Sequence, residues 1–176
     1  SGTVALPRAE DITDAFRSWF DERDGERPFF AFCWSIEPHM PYDPPGGYDM
    51  YRDPEYDGPV DGSRDSLKSV DTAADLEALK ARYDEEIRYN DECLGELFTH
   101  LSSAGELDET LVIVVGDHGD AFEEHGRLTH GHAPYEELAR VPWVARPPGG
   151  MTPSEVNSLT SLVDVAPTLL EFTTGE

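Results

Sequence analysis

Two short apolar runs constrain this chain more than any other feature. Pro28–Ile36 (PFFAFCWSI) and Leu111–Val115 (LVIVV) have strand length and no apolar–polar alternation, the pattern of strands covered on both faces. Such strands need helices packed against both sides of a sheet, and helical spacing supplies them. Glu10–Asp21 places Ile12, Ala15, Phe16, Trp19 and Phe20 on one face. From Asp71 to about Ser103, Leu76, Leu79, Tyr83, Ile87, Leu94, Leu97, Phe98 and Leu101 fall three, four or seven apart, with Gly105 as a stop signal. A short helix is expected at Tyr135–Ala139 and a third strand at Val141–Ala145. A last helix is expected over Asp164–Phe172, with Asp164 as N-cap and Pro167 in the first turn. Asp43–Val70, rich in Pro, Gly, Asp and Tyr, reads as a long loop. This order predicts an α/β fold, a largely parallel sheet flanked by helices, with residues 1–176 forming a single domain.

Charge narrows the function classes. Against 37 Asp and Glu stand 13 Lys and Arg, a net charge of −24, which repels nucleic acid and anionic membrane at long range. No apolar run approaches the length of a membrane span, so neither nucleic acid nor membrane insertion is expected. The acidic residues are spread along the chain while Lys occurs only at 68 and 80. That pattern suggests a halophilic source, where salt screens self-repulsion. Cys33 and Cys93 lie on the predicted strand and helix and are expected to be buried free thiols, with no disulfide framework or zinc spacing. No signal peptide is present in the chain, which favours a cytoplasmic location.

In open α/β sheets ligands bind beyond the carboxyl ends of the strands. His39 and the pair Asp117-His118 both follow predicted strands, and Gly116 and Gly119 flank the pair. A carboxylate beside an imidazole suits a divalent cation: calcium or magnesium by the hard oxygen, manganese or zinc by the nitrogen. The competing reading makes Asp117 a turn cap and His118 a surface histidine. Five of the six histidines, His39, His118, His125, His130 and His132, fall after strands or in the polar stretch beyond Asp117. Imidazoles clustered there can ligate metal, move protons or face an anion.

Several motifs in order resemble the sulfatases, within the alkaline-phosphatase-like superfamily. Pro28-Phe29-Phe30 leads to Glu37-Pro38-His39-Met40-Pro41-Tyr42, similar to the family's Pro-His-x-Pro-Tyr segment. TLVIVVGDHG over 110–119 is similar to the strand ending Ser-Asp-His-Gly. Glu124-His125-Gly126, His130-Gly131, Tyr135-Glu136-Glu137 and VDVAPTLL over 163–170 follow in the family's order. The resemblance covers roughly residues 28–172. It implies hydrolysis of small-molecule sulfate monoesters around one divalent cation, most commonly calcium. It makes Asp117 and His118 metal ligands and turns His39 toward the sulfate or leaving-group oxygen. His130 is placed beside the leaving oxygen, with His132 as the second candidate for that position.

The chain also departs from the family pattern. No Cys/Ser-x-Pro-x-Arg motif is present to make the formylglycine nucleophile, and Cys33 lacks the Pro-x-Arg that should follow. No Asp-Asp pair is present to complete the metal site. Gly116 replaces the usual Ser, and Asp120 the usual Glu, both read as minor. The resemblance therefore implies part of a catalytic domain, without the nucleophile half before it or the carboxy-terminal subdomain after it. Alone it is expected to bind metal weakly and turn over nothing. Two alternatives stand beside the sulfatase reading: a phosphodiesterase or phosphonate monoester hydrolase of the same superfamily, and a non-catalytic sulfatase-like module.

Overall fold

The computed structural model describes residues 7–175. Helices α1 (Ala9–Glu22) and α2 (Ala73–Ser103) lie side by side where the periodicity predicts them. Phe16 and Phe20 of α1 bury against Leu97 and Leu101 of α2, and Phe29 closes the cluster. Thr72 caps α2 through a reciprocal pair with Asp75. Gly105, at φ +76°, ends it as predicted. The N–H groups of Gly105 and Glu106 then return to the carbonyls of Ser102 and Leu101, both at 3.0 Å.

At 31 residues, α2 is about 46 Å long, so its two ends serve two cores. Its amino-terminal half carries Leu79, buried with Met40, Tyr42 and Val60, and lined by Tyr83, Phe122 and Leu128. The 43–70 segment is a long loop, as expected, broken only by a short 3-10 turn at Ser66–Ser69. It is not a free excursion. Arg52 pairs with the buried Glu85 at 2.7 Å, and the Tyr56 hydroxyl donates to Asp75 at 2.6 Å. Gly62 closes it over Tyr42, whose N–H donates to the Gly62 carbonyl at 2.9 Å. A Cβ at Gly62, where φ is +85°, would stand 2.2 Å from the Tyr42 carbonyl, so only glycine permits this approach.

The strands are β1 (Val112–Val115), β2 (Ala121–Phe122), β3 (Leu128–Thr129) and β4 (Trp143–Arg146). Helix α3 (Glu136–Ala139) precedes β4, and α4 (Val165–Thr174) follows it. The α/β class holds, but the pairing differs from the parallel arrangement expected. β1 pairs antiparallel with β4, and β2 with β3. The reason is the connection. Between β1 and β4 the only helix is α3, four residues long. Residues 116–142 are long enough for a parallel crossover, but they fold into the β2–β3 hairpin and this single helical turn rather than the long helix that usually carries one.

Pro28–Ile36 forms no strand among the described residues. Strands are made by their neighbours, and no described strand runs beside this one. Phe30, Phe32 and Trp34 are 73%, 81% and 67% exposed. Cys33 is exposed with them, against the expectation, while Cys93 is buried as expected. Asp164 is the N-cap residue of α4 as predicted, but its side chain makes no cap hydrogen bond to that helix. Its carboxylate accepts the Ser161 N–H at 2.8 Å and closes a 3-10 turn instead. Among the described residues no helix is long and apolar enough to cross a membrane.

Candidate active site

The chain leaves β1 at Val115 and turns through Gly116-Asp117-His118-Gly119. The turn is pinned to the segment around α3: Gly116 N–H donates to the Pro142 carbonyl at 3.1 Å, and Gly119 N–H to the Leu138 carbonyl at 2.9 Å. A Cβ at Gly119 would lie 2.2 Å from the Glu137 carbonyl. Gly119→Ala is therefore expected to cost about 1–3 kcal/mol and to push the turn away from α3. Urea unfolding measures the cost, and an unchanged midpoint would contradict the close approach.

Within the turn, the Asp117 carboxylate is 71% exposed, and its Oδ1 accepts the His118 N–H at 2.9 Å. Its other oxygen remains for a ligand. His118 Nδ1 lies 3.0 Å from the Gly119 carbonyl. A carbonyl can only accept, so Nδ1 carries the proton and Nε2 keeps its lone pair in the neutral ring. A free carboxylate oxygen and a bare imidazole nitrogen at the end of a strand fit a divalent cation.

His39 reaches the same place from another element. Its neighbours Met40 and Tyr42 are buried in the second core, at 2% and 1% exposure, which fixes the backbone on both sides of Pro41. Asn90 of α2 donates to the Glu37 carbonyl at 3.3 Å on the other flank. His39 Nδ1 sits 2.7 Å from the Met40 carbonyl, so Nε2 is again the outward nitrogen.

His130 arrives through a hairpin. β2 and β3 pair Ala121 with Thr129 and Phe122 with Leu128, so the next facing positions are Asp120 and His130. Their side chains meet, with His130 Nδ1 2.7 Å from Asp120 Oδ1. Thr129, just before His130, holds φ at +63°, a conformation a β-branched residue rarely adopts. The His130 ring lies 4.2 Å from that of His118 and 5.1 Å from that of His39, centroid to centroid.

A pocket of about 270 Å³ lies between these elements, lined by residues 34–39, Tyr83 and residues 117–120. Ligand atoms of His118, Asp120 and His130 all fall within 4.8 Å of one another. Asp120 is more buried than its place in a polar stretch suggested, with a side chain 5% exposed. Its Oδ2 accepts the Tyr42 hydroxyl at 2.6 Å. Burial and then Asp120 hold the Tyr42 phenol well above its ordinary pKa, and the same two causes raise Tyr83.

The structure thus brings together Asp117, His118, His39 and His130 of the residues singled out in the sequence. His132 does not join them. Its Nε2 is buried without a hydrogen-bond partner among the described residues, and its ring acts on Glu137. His125 is likewise turned away, stacked on Tyr135 at 3.8 Å and 2.7 Å from Glu137 Oε1. Burial opposes ionisation of Glu137, but hydrogen bonds from its own backbone and from His125 outweigh it and lower its pKa. Sequence reasoning passed over Asp120 and Tyr42. The signal for Asp120 was weak: two-residue strands around a loop ending near Gly126 do not declare a register.

The segments carrying His39, Asp117-His118 and His130 thus meet, while the other motifs lie outside this cluster, and the sulfatase family's sequence profile matches residues 7–175. The chain belongs to the sulfatase family. It is 32% identical over 168 residues to an arylsulfatase of Clostridium perfringens, covering 85% of this chain and 35% of that protein. It is 26% identical to the multifunctional alkaline phosphatase superfamily protein PehA of Trinickia caryophylli, over 94% of this chain and 38% of that one. Among solved structures, the phosphonate monoester hydrolase of Agrobacterium radiobacter superposes with a TM-score of 0.64 at 25% identity, over 85% of this chain and 36% of that one. The chain spans about a third of the length of the curated relatives it matches. The sulfatase membership accounts for the antiparallel fragment as part of a larger α/β core.

Proposed function

We propose that the full-length protein hydrolyses sulfate monoesters of small molecules. The observation that carries this reading is the meeting of three elements at one place: His39 and His118 line one pocket with Asp117 and Asp120, and the His130 ring lies against both imidazoles. Asp117 and His118 hold a divalent cation, calcium first, with manganese, magnesium or zinc compatible with the same donors. Bound there, such an ion would supply charge compensation for the sulfuryl oxygens, and a formylglycine outside residues 1–176 would supply the nucleophile. As the imidazolium, His39 donates from Nε2 to a sulfuryl oxygen while its Nδ1–H stays on the Met40 carbonyl. As the imidazolium, His130 delivers its Nε2 proton to the bridging oxygen as that oxygen leaves sulfur and keeps the proton on Nδ1, a role worth about 10²–10⁴-fold. Its place among the rings, against a His132 whose Nε2 is buried without a partner among the described residues, favours His130 over His132 for that step.

Likeness to the phosphonate monoester hydrolase supports a second reading, with a phosphonate or phosphate diester as substrate. Parallel assays of the full-length protein separate the two. Para-nitrophenyl sulfate is expected to be turned over with a higher kcat/KM than bis-para-nitrophenyl phosphate or para-nitrophenyl phenylphosphonate, and chelator is expected to abolish turnover. The reverse preference would assign the phosphorus substrate.

The net charge of −24 further supports adaptation to high salt. The urea midpoint is expected to rise as KCl increases to molar concentration. A flat or falling midpoint would remove that reading.

A further inference from the structure

We infer that Asp120 positions His130, and Tyr42 positions Asp120, so that this carboxylate serves the imidazole and is not a ligand of the cation. The inference rests on the reading of His130 as donor to the leaving group. By distance alone Asp120 belongs with His118 and His130 as a possible ligand trio. Hydrogen bonding assigns it differently. Oδ1 is taken by His130 Nδ1 at 2.7 Å and Oδ2 by the Tyr42 hydroxyl at 2.6 Å. With a side chain only 5% exposed, the carboxylate keeps both partners out of competition with water. Each oxygen already accepts one short hydrogen bond, so an ion bound there would have to share that oxygen with His130 or Tyr42.

The arrangement is built from rigid parts. The β2–β3 register sets Asp120 opposite His130. Tyr42 is 1% exposed and packed against Tyr83 at 5.3 Å between ring centroids, so its hydroxyl is a fixed donor. A carboxylate on Nδ1–H fixes both the tautomer and the rotation of an imidazole. Here that leaves Nε2 on the opposite ring edge, as the only nitrogen of His130 able to serve a substrate. The replacement of the family's usual Glu by Asp, read from sequence as minor, becomes meaningful. The facing backbones of a hairpin pair are close, and the shorter side chain spans the gap to a histidine.

Two readouts test this in the full-length protein. The first compares kcat on phenyl sulfate, a poor leaving group, with para-nitrophenyl sulfate, a good one. Asp120→Ala is expected to lower kcat on phenyl sulfate about 10²-fold and on the nitrophenyl ester by less than about tenfold. KM and bound metal should stay unchanged. Tyr42→Phe should show the same leaving-group bias with a smaller loss. An equal loss on both esters, or loss of the metal in Asp120→Ala, would overturn the inference. The second readout needs no turnover. Nitrogen NMR of the labelled histidine rings, recorded with the rings neutral, should show His130 as a single Nδ1–H tautomer, the conjugate base of the imidazolium that donates from Nε2, becoming a mixture in Asp120→Ala. A mixture already in the unsubstituted protein would overturn the inference, whether or not sulfate esters are hydrolysed. Failure to hydrolyse any sulfate ester, with the single tautomer intact, would instead defeat the sulfatase reading alone.

Discussion

His39→Ala is expected to lower kcat of the full-length protein on aryl sulfates by about 10²–10³-fold, the range for losing one preorganised donor to developing charge. The imidazole is half-buried, lines the pocket, and has Nδ1 committed to the Met40 carbonyl at 2.7 Å. Only Nε2 is left to meet substrate. The loss should be catalytic rather than structural. Met40 and Tyr42 anchor the segment in the core, and Asn90 holds it from α2, so removing the ring leaves the backbone supported. The melting temperature should therefore move little. Steady-state kinetics and a thermal melt on the same preparation check both halves. Activity within threefold of the unsubstituted protein would remove His39 from the machinery.

Glu86→Gln is expected to stabilise the protein at pH 8 and to do little at pH 5. Glu86 is 2% exposed. Its Oε1 accepts the Asp43 N–H at 2.7 Å, while Oε2 has no partner among the described residues. Burial pushes its pKa up to about 7, with Glu37 and Asp43 adding to the rise. The Asp43 N–H and Arg8 oppose it. A glutamate released from the fold ionises near its ordinary 4.5. Between these values the folded state binds the extra proton, so stability falls as pH rises through this window. Below about pH 4.5 the deficit is absent, and above about pH 7 it is complete, at about 3 kcal/mol. Glutamine keeps the acceptor for Asp43 and removes the charge. Its unpaired amide costs about 1 kcal/mol, leaving a net gain of about 2 kcal/mol at pH 8. Urea unfolding of the full-length protein at the two pH values measures it. An equal effect at both, or a loss at pH 8, would show that Glu86 is ionised without penalty.

The helices and the loop were legible because their information is local. Phe16, Phe20, Leu97 and Leu101 declare their faces by spacing, and Gly105 by its terminating role. Asp117, His118 and His39 were legible because they follow apolar runs, where α/β sheets carry their ligands. Strand partners were not. Leu111–Val115 holds no record of whether β4 returns parallel or antiparallel, because the direction lies in how residues 116–142 fold between them. Pro28–Ile36 is strand-like in sequence, but Phe30, Phe32 and Trp34 find no described strand to pack beside. Discriminating His130 from His132 also required tertiary structure. They are two residues apart, yet the hairpin register turns His130 to Asp120, while His132 Nε2 is buried without a partner among the described residues.

The most direct test of the site is anomalous diffraction from crystals of the full-length protein loaded with manganese. The ion is expected against Asp117 Oδ2 and His118 Nε2, with Asp120 still hydrogen-bonded to His130 and Tyr42. An ion bound by Asp120 and His130, or one away from Asp117, would contradict the assignment.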